Sequence, residues 1–143
     1  MGVAAMDTVA RWVFFINLSL LLLHEMDAVR RGEWRMFPFL KTLPEERAYR
    51  LFTLLHLPLY TLLLWLLGEG APVPGMAAVD LFLVAHAVLH RCCERHPGYG
   101  FRSRFSRSII YAMAGLALLH LALGIAPESV DLFWKVRFKG IAV

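Results

Sequence analysis

Four apolar segments, each of about 20 residues, dominate the sequence. A helix of about 20 apolar residues crosses a hydrocarbon layer of about 30 Å, so each segment is long enough to span a membrane. A chain in lipid must satisfy its backbone hydrogen bonds internally, and no alternating barrel-strand pattern is present. The sequence therefore predicts an all-α, polytopic integral membrane four-helix bundle. We expect one membrane domain, 1–143, with spans at about 9–29, 48–67, 73–91 and 108–125.

Composition and charge distribution agree with a membrane location. Hydrophobic residues make up 59% of the chain and charged residues only 18%, whereas soluble domains have nearer a half and a quarter. Lys and Arg are retained on the cytoplasmic side of a membrane. They are concentrated after the first and third predicted spans, and the loop 68–75 has none. The pattern predicts that both termini are non-cytoplasmic.

Two further segments are predicted to lie at the membrane interface. The connection 30–47 mixes apolar residues with basic ones, and its Trp34 is typical of headgroup depth. The C-terminal segment 128–143 also interleaves basic and aromatic residues. Anionic lipid headgroups explain the basic loops and the net charge of +4. No nucleic-acid fold signature is present, so the lipid bilayer, and not nucleic acid, is the expected partner.

Histidine and carboxylate side chains inside the spans are the most informative polar feature. Ionisable residues in lipid are costly and indicate function. A helix rises about 1.5 Å per residue, which places one group of them in a common layer of the inner half of the bundle. Pairs three or four apart share a helix face, and bundle proteins use such pairs to bind metals. We expect a divalent transition metal (Zn, Fe, Mn or Cu), bound by His24, Asp27, His56, His86 and His90.

The histidines also have simpler interpretations. A His-x-x-x-His pair such as His86 and His90 occurs by chance, and His90 would then lie at the headgroups. His56 stands two residues before Pro58, a residue that kinks helices and frees a carbonyl one turn earlier. Its ring would then bond that carbonyl and no metal. The convergence of several helices on one depth is what favours the metal interpretation.

The carboxylates leave alternatives open as well. Glu25 and Glu33 are candidate acid/base groups beside the metal, so they are the candidate catalytic residues. Alternatively, Glu25 forms an ion pair with the arginine at 30 or 31, and Glu33 forms one at the surface. Asp80 and His120 lie near the outer ends of their spans, in a second layer. They form either a structural hydrogen bond between two helices or a proton relay.

The motifs carrying these residues follow one another along most of the chain. They are Leu23–Ala28, Gly32–Pro38, His56–Leu59, Asp80–Phe82, His86–His90, His96-Pro97 and Phe105-Ser106. The pattern His-Glu-x-Asp, Glu-Trp, His-x-Pro, Asp and His-x-x-x-His resembles a family of small bacterial membrane proteins catalogued as a domain of unknown function. The resemblance covers roughly residues 15–125. It implies a four-span fold in a bacterial inner membrane and implies no particular reaction.

Three functions remain open from the sequence. The first is a metal-dependent membrane hydrolase or oxidoreductase, in which metal-bound water attacks a lipid-like or isoprenoid substrate near the inner leaflet. The second is a haem b or electron-transfer subunit with axial histidines from facing helices. The third is a non-enzymatic carrier or accessory subunit. At 16.3 kDa such a protein is expected to work as a homo-oligomer or within a larger membrane complex.

Overall fold

The four predicted spans correspond to four long helices. A computed structural model describes the backbone of residues 3–68 and 73–138, and the side chains of 8–67 and 73–124. Every regular element in these ranges is helical, and the four long helices contain stretches long and apolar enough to cross a membrane. The elements are α1 (Val3–Arg31), the short 3-10 helix η1 (Glu33–Met36), α2 (Glu45–Gly68), α3 (Val73–Cys93) and α4 (Arg104–Phe138).

One helix extends beyond the sequence expectation. The last membrane-type stretch, Arg104–Gly124, ends close to the expected residue 125, but helix α4 itself continues without a break to Phe138. The interfacial position of the segment 128–143 stays a prediction, and residues 139–143 lie outside the described part. Residues 69–72 of the loop 68–75 also lie outside it. The non-cytoplasmic location of the termini likewise stays a prediction.

Helices α1, α3 and α4 form the tightly packed part of the bundle. Helix α4 packs against both α1 and α3, whereas α2 makes its close backbone contacts with η1. One core cluster is centred on Phe14, Leu21, Leu83 and Met113, each about 99% buried or more. In the α2 span, by contrast, only 6% of the apolar window is buried within the protein. Helix α2 is therefore the least buried of the four.

The two connections 32–44 and 94–103 meet at one end of the bundle, here called the basic end. Gly32 has φ +68°, a left-handed conformation that glycine adopts without a Cβ clash, and it turns the chain from α1 into η1. Trp34 then packs inward, 7% exposed, and its Nε1 donates to Glu45 at 3.2 Å. Gly100 approaches the backbone of Arg31 so closely that an added Cβ would lie 2.9 Å from the Arg31 carbonyl oxygen.

Candidate metal centre

Three histidine rings converge near the basic end, one from α1 and two from α3. Nε2 of His86 lies 2.8 Å from Nε2 of His24 and 3.0 Å from Nε2 of His90. The three ring centroids are 4.5–5.0 Å apart. His24 and His90 are buried, and His86 is partly buried. The three nitrogens face one another, an arrangement able to hold a metal ion.

Aromatic side chains from the basic end close the far side of this triad. The ring of Phe101, fully buried, lies 5.4 Å from the His24 ring and 4.7 Å from the His90 ring, measured between centroids. Tyr99 also contacts His90. The Nδ1 atoms of His24 and His90 are buried and have no hydrogen-bond partner among the residues that the structure describes. Only packing therefore fixes these two rings on that side, and their polar contacts are at Nε2.

Glu33 stands next to the triad. Its Oε1 lies 3.7 Å from Nε2 of His90, and the residue is 8% exposed. Burial raises the pKa of the Glu33 carboxyl to about 8, and the nearby charge of Glu25 acts in the same direction. A carboxyl with such a pKa exchanges a proton near neutral pH, which is the property required of a general acid or base.

Glu25 of α1 and His56 of α2 form a second buried polar contact, separate from the triad. Glu25 Oε2 lies 2.7 Å from His56 Nε2, and Nδ1 of His56 bonds the Phe52 carbonyl oxygen at 2.8 Å. The alternative that His56 bonds the carbonyl freed by Pro58 is therefore wrong, because that carbonyl belongs to residue 54. The alternative that Glu25 forms an ion pair with Arg30 or Arg31 does not match the described contacts, in which Glu25 bonds His56 and Arg31 bonds Asp27.

Asp27 is turned away from the triad and toward the basic end. Its Oδ1 accepts from Nε of Arg31 at 3.2 Å, and Arg31 in turn donates to Ser103 at 3.2 Å. Ser103 caps α4, because its hydroxyl accepts from the backbone N–H of Ser106 at 3.0 Å. Asp27 thus helps to join the end of α1 to the start of α4.

A separate polar group lies in the opposite half of the bundle. His120 Nδ1 is hydrogen-bonded to Asp80 Oδ2, so this predicted pair is present as a contact between α3 and α4. Asn17 of α1 is fully buried beside them, and its amide reaches toward Asp80 without a hydrogen bond of ordinary geometry. Sequence reasoning missed Asn17, although an Asn inside an apolar run was the available signal.

A cleft of about 320 Å³ adjoins the triad. It lies between α2 and α3 beside the connection 32–44, and its walls are mainly leucine and phenylalanine side chains. Four polar residues reach its surface: Glu25, Glu33, His56 and His86. Because His86 belongs to both the triad and the cleft, a molecule in the cleft would contact one of the three triad histidines.

The structure thus brings His24, His86 and His90 together and separates the other two predicted ligands from them. His56 lies across the cleft and Asp27 lies at the basic end. These contacts describe a small protein with four membrane-type helices, a histidine triad near one end and an apolar cleft beside it.

Comparison with known proteins agrees with that class. The chain belongs to a family of unknown function, DUF6713, whose profile matches residues 10–127. The resemblance noted from the sequence motifs is therefore confirmed at the level of the family. Searches of curated proteins and of solved structures each gave no significant match.

Proposed function

We propose that this protein is a membrane-embedded, metal-dependent enzyme that acts on a lipid-like substrate near the inner leaflet. His24, His86 and His90 bind the metal, and the substrate occupies the adjoining cleft. The mutual approach of three Nε2 atoms, at 2.8 and 3.0 Å for the two closest pairs, is the observation that carries the proposal. The multi-pass character rests on the four spans, and a bacterial inner membrane stays our prediction.

The number of N–H donors and lone pairs on the three rings favours a bound metal over a network of hydrogen bonds between the histidines. A neutral imidazole has one N–H donor and one acceptor nitrogen. His86 Nε2 faces two other Nε2 atoms, so it can donate to one of them or accept from one of them, but it cannot satisfy both. The second contact then lacks a proton or a lone pair. A cation interacts favourably with all three lone pairs at once, which removes the conflict.

The donor set suits a transition metal with an open position. Imidazole nitrogens are preferred by Zn, Cu, Fe and Ni, and catalytic zinc sites use three protein ligands and leave a position for water or substrate. Tetrahedral Zn–N bonds of about 2.0–2.1 Å separate the ligand nitrogens by about 3.3 Å. The observed spacings of 2.8 and 3.0 Å need only a small outward movement to reach this value.

Haem is a poorer fit to this arrangement than a metal ion. Axial histidines approach iron from opposite faces of a flat macrocycle. Here the ring centroids are only 4.5–5.0 Å apart, which leaves no space for a macrocycle between any two of them. The metal-ion proposal therefore takes precedence over the haem b alternative.

Two carboxyl groups are suited to proton transfer beside the metal. Glu33 lies 3.7 Å from His90 Nε2, and Glu25 is paired with His56. All of these except His90 line the cleft. We assign Glu33 and Glu25 the acid/base role, with His56 orienting Glu25. A hydrolase needs no component beyond water, whereas an oxidoreductase needs an external electron carrier, so hydrolysis is the simpler version.

Metal content tests the proposal. The protein is purified in mild detergent without chelators, and bound metals are measured by mass spectrometry. We expect about one transition metal per chain in the wild type and in His96→Ala, whose histidine lies in the 94–103 connection. A His24→Ala/His86→Ala variant should contain less than a tenth of that amount. A wild-type protein without metal, before and after incubation with Zn²⁺ or Fe²⁺, would refute the metal function.

A further inference from the structure

We infer that the cleft between α2 and α3 selects an uncharged lipid, with one long hydrocarbon chain and a head that carries a hydroxyl, ester or amide oxygen. This inference narrows the proposed function and rests on it for the chemistry at the metal. The binding preference itself follows from the cleft and can be measured separately.

The charges of the cleft argue against an anionic head. Within the described part of the chain, its ionisable lining consists of Glu25, Glu33, His56 and His86, with neither lysine nor arginine. Proteins bind phosphate groups with Arg, Lys or helix N-termini. Nearby arginines are engaged elsewhere: Arg31 bonds Asp27 and Ser103, and Arg35 bonds Glu45.

The metal does not reverse this preference. Three neutral imidazoles leave a divalent ion with one open position, which a neutral head with a single oxygen can fill. A phosphate would bring further anionic oxygens into the cleft, whose lining supplies no cationic side chain among the described residues to pair with them. An anionic oxygen buried without a partner weakens binding by about 10²-fold or more.

The walls of the cleft are suited to a hydrocarbon chain. Leu55 and Phe82 line it from facing helices and are themselves 48% and 49% exposed, so the cleft opens sideways, where lipid chains would lie. Its volume of about 320 Å³ is at the lower end of the range for small-molecule sites, about 300–1,000 Å³. It accommodates part of one chain and a small head, but not a two-chain phospholipid.

The depth of the triad fits the same substrate. His90 is three residues and His86 seven residues from the end of α3 at Cys93, which corresponds to about 5 and 10 Å below the basic end. The headgroup layer of a bilayer is about 5–8 Å thick on each side of the hydrocarbon core. The hydroxyl or ester oxygen of a single-chain lipid would therefore reach the triad while its chain stays in the hydrocarbon layer.

A quenching titration tests this inference. Trp34 packs against Phe52, a residue of the cleft wall, at 5.8 Å between ring centroids. A variant in which the other three tryptophans, at 12, 65 and 134, are changed to Phe keeps Trp34 as the only indole. It is titrated with brominated stearyl alcohol and with the phosphate ester of the same alcohol, and bound metal is measured on the same samples. The alcohol should quench Trp34 with at least 100-fold higher affinity.

Variants identify the cause of that selectivity. A Glu25→Gln/Glu33→Gln protein should lose at least tenfold of the preference for the alcohol, since the new amide groups donate hydrogen bonds to a phosphate and carry no negative charge. Leu89→Phe, which narrows the cleft, should weaken binding of the alcohol tenfold or more. The control is Leu81→Phe on the same helix, at an exposed position outside the cleft lining, and it should bind like the parent.

The outcomes separate this inference from the proposed function. Equal or tighter binding of the phosphate ester overturns the substrate class even if metal is bound. Failure of both lipids to quench Trp34 in a metal-loaded protein overturns the assignment of the cleft and leaves the metal proposal intact. If the protein binds no metal, the proposed function fails, and the same titration still decides whether the cleft prefers the alcohol.

Discussion

Replacing His86 is the sharpest test of the metal centre, because its Nε2 contacts both other triad nitrogens. Zinc sites with four protein ligands contribute about 10–16 kcal/mol, or about 2.5–4 kcal/mol for each ligand. His86→Ala should therefore raise the Kd for Zn²⁺ by about 10²–10³-fold. His56→Ala should raise it less than about tenfold, because His56 bonds Glu25 and Phe52 and not the triad.

The assay is competition for Zn²⁺ between detergent-solubilised protein and a chelating indicator at fixed pH and salt. Circular dichroism of each variant checks that the helices are retained, and His86→Asn provides a second, more polar replacement. His96→Ala controls for general loss of a histidine. Equal losses for His56→Ala and His86→Ala would show that the five-residue set from the sequence is the binding unit and that the triad is not. An unchanged Kd for both His86 variants would refute the centre altogether.

Three further predictions concern stability. Gly100→Ala should lower the free energy of unfolding by about 1–3 kcal/mol, because its Cβ would meet the Arg31 backbone. Gly115→Ala has open space around it and should leave the free energy of unfolding unchanged or raise it by about 0.5–1 kcal/mol. Denaturation in mixed micelles measures both variants, and equal effects would contradict the packing. Leu83 is fully buried, so Leu83→Ala should lower the free energy of unfolding by about 2–5 kcal/mol. Leu81 is exposed, so Leu81→Ala should lower it by less than about 0.5 kcal/mol. A loss below about 2 kcal/mol for Leu83→Ala would argue against the described core. Removing metal with a chelator should lower the Tm, since ligands that bind only the folded state stabilise it; an unchanged Tm would count against a specific site.

The sequence predicted the helices and the depth of the polar residues well. Segment length and hydrophobicity are local properties, so the four spans followed from them directly. The spacing of four between His86 and His90 placed both on one face, and the rise per residue brought His24 to the same depth. The structure has these three rings in contact.

Rotation about the helix axis was the part that could not be predicted. Successive residues on a helix are about 100° apart, so His24 and Glu25 face different neighbours although they lie at one depth. His24 meets α3, and Glu25 meets His56 of α2. Which neighbour each face meets depends on how α1, α3 and α4 pack together, and single-sequence periodicity contains no such information. For the same reason, the closing contact of Phe101 from a connection was not foreseen.

The division of the triad between α1 and α3 has a consequence for how the protein is made. A chain that has emerged from the ribosome only as far as α2 contains one of the three histidines and so has no complete site. On the proposed function, a metal could therefore occupy the complete site only after α3 has been made and packed against α1. Helix α4, which packs against both α1 and α3, then holds the two halves together. If the triad binds a metal as proposed, biosynthetic intermediates would lack the complete site until the bundle is assembled.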